Sequence, residues 1–164
     1  LAPGFDESTK ILDLGTGNGH LLFSLRESEV PGQFLGIDYS HTSVKFASKI
    51  AKSNPDLEDI QFKAVDFISD PKWNGAEQFD LVLDKGTLDA IALSTIPNAP
   101  QKYVESVLPL IKQNGGRFLI TSCNFTKDEL VKLVGLPVAD EISYPSFVFG
   151  GQKGTPVVTL IFEP

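Results

Sequence analysis

The sequence lacks the features of a membrane, disulfide-stabilised or zinc-binding protein. Its one cysteine, Cys123, can form no internal disulfide, and two histidines without nearby cysteines give no metal-site pattern. No apolar run approaches the ~18 residues of a membrane span, and no segment has the charged-then-apolar layout of a signal peptide. These absences predict a soluble cytoplasmic protein with neither a membrane contact nor a metal.

Basic residues are too few for a nucleic-acid-binding surface. The chain has 14 Lys and Arg against 21 Asp and Glu, a formal charge of −7. Because neutralising phosphates needs a basic face, this composition argues against nucleic acid and favours encounter with a basic partner.

The 164 residues, 41% of them hydrophobic, fit one globular domain spanning 1–164, without repeats or a linker. The chain has no methionine and opens at Leu1, a few residues before a strand pattern. We therefore expect that an N-terminal segment is missing from this domain.

Short apolar runs alternate with helix-like stretches along most of the chain. The patterns predict strands at 10–14, 33–38, 60–65, 79–83 and 117–121, and helices at 19–28, after Ser40, at 99–113 and from Thr126 to Val134. Two final strands, 138–144 and 157–162, have no helix between them. The sequence thus predicts a doubly wound α/β fold, with a mostly parallel seven-stranded sheet and an antiparallel C-terminal edge hairpin.

The first strand runs into a glycine-rich loop, LDLGTGNGH at residues 12–20. The dinucleotide fingerprint would need its third glycine at the position of His20, and no Lys followed by Ser or Thr completes a phosphate-binding P-loop. The glycines permit close approach of a ligand, at the sheet edge where such folds bind one. A plain turn between strand and helix is the structural alternative.

Acidic residues follow several strands at that same edge. Asp38 ends the second strand about 20 residues after the glycines, where a carboxylate can accept the hydroxyls of a ribose. Single aspartates at strand ends are usually turn formers, but Asp13, Asp38, Asp66 and Asp84 share one edge. Such a rim repels a pyrophosphate and suits a ligand with positive charges and hydroxyls. S-adenosylmethionine, with its sulfonium, ammonium and ribose, fits that demand.

Several segments also resemble one protein family. ILDLGTGNG, GIDYS, AVDF and the closing hairpin are similar to class I, seven-strand S-adenosylmethionine-dependent methyltransferases over essentially the whole chain. LDKGTLDAI at 83–91 is similar to a segment of protein-lysine methyltransferases. LITSCNFTKDEL at 119–130 and FVFGG at 147–151 resemble the group that methylates a lysine of translation elongation factor 1-alpha, although Phe125 stands where relatives carry another aromatic.

The resemblance implies a cofactor site for S-adenosylmethionine. The glycine loop would hold the methionine end, Asp38 the ribose hydroxyls, and Asp66 with Phe67 the adenine, while Tyr39 packs beside the nucleoside. Asp84 would open the acceptor side near the methyl group. The implied cofactor-binding residues are Asp13, Gly15, Thr16, Gly17, Asn18, Gly19, Asp38, Tyr39, Asp66, Phe67 and Asp84.

Methyl transfer also needs a neutral lysine amine aligned with the sulfonium and shielded from water. The expected catalytic residues are Asp84, Asp89 and Asn124, which would orient the amine, and Phe125, which would form a wall of the lysine slot. Core packing is the alternative role for this aromatic and for the other expected slot walls, Tyr144, Phe147 and Phe149.

Two further side chains carry expectations of their own. A second cation would repel an acceptor lysine, so Lys85 is expected to turn away and pair with Asp84 or Asp89. Cys123 is expected to be buried at a strand end.

The resulting hypothesis is a monomeric lysine methyltransferase with elongation factor 1-alpha as its protein substrate. A methyltransferase acting on another protein or a small amine remains open, as does a catalytically silent methyltransferase fold that serves as a binding module.

Overall fold

A computed structural model of the chain describes residues 4–144, 148–149, 152–153 and 157–164, with the backbone alone at 148, 149, 152 and 153. Its main feature is a seven-stranded sheet of β1 Lys10–Leu14, β2 Gln33–Asp38, β3 Gln61–Ala64, β4 Leu81–Lys85, β5 Arg117–Ser122, β6 Val138–Ile142 and β9 Val158–Phe162. The strand order in this sheet is β3-β2-β1-β4-β5-β9-β6.

The first five strands pair in parallel, and β9 runs antiparallel to both β5 and β6. This confirms the predicted doubly wound α/β fold with its antiparallel C-terminal edge. A small separate hairpin, β7 Val148–Phe149 and β8 Gln152–Lys153, lies in the chain between β6 and β9.

Within the described part of the chain, five helices connect these strands: α1 His20–Glu27, α2 His41–Lys52, α3 Thr87–Ala92, α4 Ala99–Val107 and α5 Lys127–Val134. The predicted capping box of α5 is present, because the Thr126 hydroxyl accepts the Glu129 N–H and the Glu129 carboxylate accepts the Thr126 N–H. The helix predicted at 99–113 ends at Val107, because Pro109 has no N–H to continue it, and a short 3-10 turn follows.

Alternation along the strands separates two apolar layers. Leu12 and Leu14 of β1 pack on one side of the sheet with Tyr103 of α4, while Ile11 packs on the other side with Leu22 of α1. Asp13 interrupts this pattern, because it is a carboxylate that is only 3% exposed on the side of α1. The carboxyl end of β1 therefore carries a buried ionisable group within an otherwise apolar layer.

Strand order reverses beside β1, which lies between β2 and β4. Ligands of doubly wound sheets bind at this point, outside the carboxyl ends of the strands. In the described ranges, no helix is both long and apolar enough to cross a membrane.

Candidate functional site

A crevice of about 500 Å³ opens at the carboxyl ends of β1, β2 and β4, in the size range of small-molecule sites. One face of α3 forms part of its wall, together with Gly15, Asp38, Tyr39, Asp66, Phe67 and Lys85. A smaller depression of about 250 Å³ lies at the other end of the strands, around Lys10 and Gln33, away from the strand-end acids. The larger crevice is therefore the candidate site.

The glycine loop after β1 has a backbone that requires glycine. Gly15, Gly17 and Gly19 have φ angles of +65°, +56° and +83°, which L-residues with a side chain rarely adopt. A Cβ on Gly15 would lie 2.2 Å from Oγ1 of Thr87, whereas a Cβ on Gly17 would meet no atom within 4 Å. The loop is thus pressed against α3 at one glycine and borders open space at the next.

Asp13 lies buried beneath this loop. Burial raises its pKa to about 7, the nearby Thr16 hydroxyl lowers it, and the charges of Asp84 and Asp38 raise it further. The buried Thr16 Oγ1 lies close to this carboxyl but has no hydrogen bond of standard geometry among the described residues. A buried carboxylate beside an unpartnered hydroxyl fits the ammonium group of an amino acid.

Asp38 and Tyr39 bring two different kinds of surface to the crevice. One carboxylate oxygen of Asp38 accepts the Gly17 N–H at 2.9 Å and the other accepts the Ser40 N–H at 2.8 Å. Each oxygen keeps a lone pair for a further donor such as a ribose hydroxyl. Tyr39 stands 82% exposed on the wall, where its ring can cover a bound nucleoside.

Asp66 and Phe67 form the part of the wall that follows β3. Asp66 accepts hydrogen bonds from the N–H groups of Ile68 and Ser69 and from the Ser69 hydroxyl, which fixes the turn. Phe67 is 6% exposed and meets the Tyr103 ring edge-on at 5.9 Å between centroids. It thus joins the core to an apolar strip of the crevice.

Asp84 lies away from the crevice wall and is 1% exposed. Its carboxylate accepts the N–H groups of Thr87 and Leu88, at 2.8 and 2.9 Å, and the hydroxyl proton of Tyr103. Burial raises its pKa to about 6, while these hydrogen bonds lower it. Asp84 holds the start of α3 in place, and its expected contact with the cofactor or the amine stays a prediction that no hydrogen bond here supports.

Asp89 holds the loop that follows β5. Its two oxygens accept the Ser122 hydroxyl at 2.5 Å and the Cys123 N–H at 2.8 Å. The Ser122 oxygen accepts the N–H groups of Asn124 and Phe125 at 3.1 and 2.9 Å. We call Asp89, Ser122 and these three N–H groups the β5 cluster. It leaves Asp89 8% exposed with both oxygens engaged.

The side chains of this loop differ in exposure. Asn124 is exposed, and Phe125 is half-buried against the core on the side of α4 and α5. Cys123 is exposed, so its predicted burial is wrong. The β5 cluster fixes the Cys123 backbone and directs its side chain outward.

Lys85 is among the residues that line the crevice, and its expected ion pair with Asp84 or Asp89 is wrong. Its neighbour Asp84 lies on the opposite face of β4, because successive strand residues alternate. Both carboxylate oxygens of Asp89 already accept hydrogen bonds within the β5 cluster. No ion pair within 4 Å joins Lys85 to either acid, although both are fully described.

Of the remaining expected slot walls, only Tyr144 has a described side chain. It is 46% exposed, and its hydroxyl lies 2.9 Å from Thr159 Oγ1, which lies 2.8 Å from Thr121 Oγ1. Phe147 and the side chain of Phe149 lie outside the described residues.

Sequence reasoning missed two residues that position the site, Thr87 and Tyr103. The Thr87 hydroxyl donates to the Leu14 carbonyl at 2.6 Å, which ties α3 to the glycine loop. The spacing of Asp84 and Thr87 was a usable signal, because an acid three residues before an N–H is typical of a helix cap. Tyr103 had no local signal, since it lies 19 residues away from Asp84.

The sheet order, the glycine loop after β1 and the acids after β2 and β3 define a Rossmann-like fold of the methyltransferase type. A family model described as a methyltransferase domain matches residues 5–147. A TehB-like SAM-dependent methyltransferase from Corynebacterium glutamicum has a similar fold, with a TM-score of 0.72 and 18% identity, covering 99% of this chain and 82% of that one.

Curated relatives are more specific. The chain is 45% identical over 163 residues to the protein-lysine N-methyltransferase EFM4 of Saccharomyces cerevisiae, covering 95% of this chain and 70% of that protein. It is 38% identical over 159 residues to the human EEF1A lysine methyltransferase 2, covering 93% of this chain and 64% of that protein. The chain belongs to this methyltransferase family, in its protein-lysine N-methyltransferase group, as the sequence motifs predicted.

Proposed function

We propose that the protein transfers a methyl group from S-adenosylmethionine to a lysine of translation elongation factor 1-alpha. The observation that supports the cofactor is the buried Asp13 beside an unpartnered Thr16 hydroxyl, under a glycine loop that leaves space at Gly17. The support for the substrate is that relatives named for it align with more than nine tenths of the chain.

The residues of the crevice fit the parts of this cofactor. Asp13 and the loop from Gly15 to Gly19, including Thr16 and Asn18, would receive the amino-acid end. Asp38 would receive the ribose hydroxyls on its free lone pairs. Tyr39, Asp66 and Phe67 would enclose the adenine. When bound, S-adenosylmethionine supplies an already activated methyl group, so the chain needs no strong general base.

The acceptor side must bind a lysine without its proton. An ordinary lysine pKa of about 10.4 makes the neutral amine cost about 4 to 5 kcal/mol at pH 7. A dry, apolar slot lowers that cost, because desolvation disfavours the ammonium form. Phe125 would form one wall of such a slot, and the exposed Asn124 would hydrogen-bond the amine.

Helix α3 connects the two halves of the proposed site. Thr87 ties its first turn to the end of β1, and Asp89 ties it to the β5 cluster. Because in-line transfer depends on the distance between sulfonium and amine, a rigid connection between the two loops favours the reaction. Asp89 would therefore act by positioning Asn124 and Phe125 and would not itself touch the amine.

Two experiments test the proposal in order. Calorimetry of the full-length protein with S-adenosylmethionine should show binding, and its absence would remove the enzymatic function. Cell lysate incubated with the protein and methyl-labelled cofactor should then give one labelled band that is sequenced as elongation factor 1-alpha. A band from another protein or a small amine would contradict the substrate and leave the cofactor assignment intact.

We further propose that the protein works as a monomer in the cytoplasm, without direct contact to nucleic acid.

A further inference from the structure

Lys85 places a positive charge in a crevice whose other described charged wall residues are acidic. Asp38 and Asp66 lie on the same wall, and Asp13 lies beneath it. Lys85 makes no ion pair within the described residues, and it is close enough to Asp13 for its charge to lower the pKa of that carboxyl. A cation at this position would repel a sulfonium and an ammonium group, so its presence requires an explanation.

The strand register places Lys85 next to the glycine loop on one face of the sheet. Asp13 of β1 is paired with Leu83 of β4, and Lys85 lies two residues further along β4. Side chains two residues apart in a strand share a face and lie roughly 7 Å apart. Asp13 and Lys85 thus lie on the same face of the sheet. Asp13 is buried in the core, and Lys85 is nearer the opening of the crevice.

Space for a ligand group exists beside this lysine. Gly86, the next residue, has φ +82°, and a Cβ on it would meet no atom within 4 Å. Gly15 and Thr87 lie on the same wall. An acid beneath the crevice and a base on its wall, on one face of the sheet and beside open space at Gly86, match the two opposite charges of an α-amino acid.

We propose that Lys85 binds the carboxylate of the amino-acid end of the cofactor, while Asp13 binds its ammonium group. This inference rests on the proposed use of S-adenosylmethionine and assigns Lys85 to cofactor binding, whereas the expectation from the motif made it a bystander. In this arrangement the ligand's carboxylate neutralises Lys85, the only cation among the described crevice residues. The acidic residues then face only the positively charged groups of the ligand.

The test compares two ligands that differ only in the carboxylate. Calorimetry measures the Kd of S-adenosylmethionine and of decarboxylated S-adenosylmethionine for the wild type and for Lys85→Met. Because charge-assisted hydrogen bonds are the strong ones, the variant should bind S-adenosylmethionine about tenfold or more weakly. Its affinity for the decarboxylated ligand should stay equal or increase, since a repulsive charge is removed.

Two controls separate this role from other effects. Lys49→Met, which removes an exposed lysine on α2, should leave both affinities within about twofold, since solvent and salt screen the distant exposed charge. Lys85→Arg keeps the charge and should keep most of the preference for the carboxylate.

If Lys85→Met weakened the binding of both ligands equally, the proposal would be overturned. The lysine would then support the site without contacting the carboxylate. Unchanged or tighter binding of S-adenosylmethionine would also overturn it, because Lys85 would then contribute nothing to holding the carboxylate. These outcomes are independent of the protein substrate. If the wild type bound neither ligand, the proposed function itself would fail, which is a separate result.

Discussion

Replacing Ser122 with alanine removes the centre of the β5 cluster. The Ser122 hydroxyl donates to Asp89 at 2.5 Å and accepts the N–H groups of Asn124 and Phe125. Ser122 itself is 1% exposed, so water does not easily replace the lost hydroxyl. We expect this variant to slow methyl transfer without changing the binding of the cofactor.

The magnitude follows from the number and kind of hydrogen bonds. A hydrogen bond to a charged group contributes about 1.5 to 3 kcal/mol, and two N–H groups also lose their acceptor. We therefore expect Ser122→Ala to lower the free energy of unfolding by about 2 to 3 kcal/mol. Since displacement of a positioning loop by about 1 Å can cost about a hundredfold in rate, kcat should fall by about that factor.

A double-mutant cycle distinguishes positioning from direct contact. Asp89→Asn loses one of two well-placed acceptors, so kcat should fall about as far as in Ser122→Ala, and the double variant should be little worse than either. The Kd for S-adenosylmethionine, measured by calorimetry, should stay within about twofold, since neither residue is on the crevice wall. Ser53→Ala, which loses an exposed hydroxyl bond at the end of α2, is the matched control with unchanged kcat.

A different pattern would refute the reasoning. If Asp89→Asn abolished activity while Ser122→Ala kept it, Asp89 would contact the amine directly. If both variants weakened cofactor binding as strongly as they lowered kcat, the β5 cluster would act through the cofactor half of the site and not by positioning the acceptor loop.

The other predictions concern the cofactor side. Gly15→Ala should lower the free energy of unfolding by about 2 to 3 kcal/mol in chemical denaturation, because it combines a left-handed backbone with a clash against Thr87; Gly75→Ala, with the same φ of +65° and no atom near its Cβ, should cost about 1 to 2 kcal/mol, and equal losses would contradict the close approach. Tyr103→Phe should cost about 1.5 to 3 kcal/mol, because the buried Asp84 loses a donor, and an unchanged denaturation midpoint would disagree. A cationic ligand binds best when Asp13 is ionised. Because the pKa of this carboxyl is about 7, it is mostly protonated at pH 6 and must lose its proton before the ligand binds. Cofactor affinity should therefore be about five- to sixfold weaker at pH 6 than at pH 7.5, allowing for partial loss of charge from the ligand's α-amino group at the higher pH, and Asp13→Asn should remove this weakening at low pH.

The sequence predicted the sheet well, because its strands are buried and their apolar runs are bounded by glycine and polar residues. It predicted α3 poorly, since six residues between Gly86 and Leu93 are too few for a periodic pattern. The glycine loop and the acid after β2 were visible because each requires a particular residue at the end of a strand.

The roles of Asp84 and Lys85 could not be read from the sequence for a geometric reason. The predicted strand ended at residue 83, whereas β4 extends to Lys85. Alternation assigns a side chain to one face of the sheet only while its residue lies inside a strand. Because the predicted strand ended two residues too early, the faces of Asp84 and Lys85 could not be assigned. The partner of Asp84, Tyr103, comes from a helix whose packing only the folded chain determines.

The proposed function is tested most sharply by tandem mass spectrometry of purified, unmethylated elongation factor 1-alpha after incubation with the full-length protein and S-adenosylmethionine. We expect one lysine to gain the mass of a whole number of methyl groups, and Asp13→Asn to abolish this gain. An unmodified factor, under conditions in which calorimetry shows that the cofactor is bound, would contradict the proposed substrate.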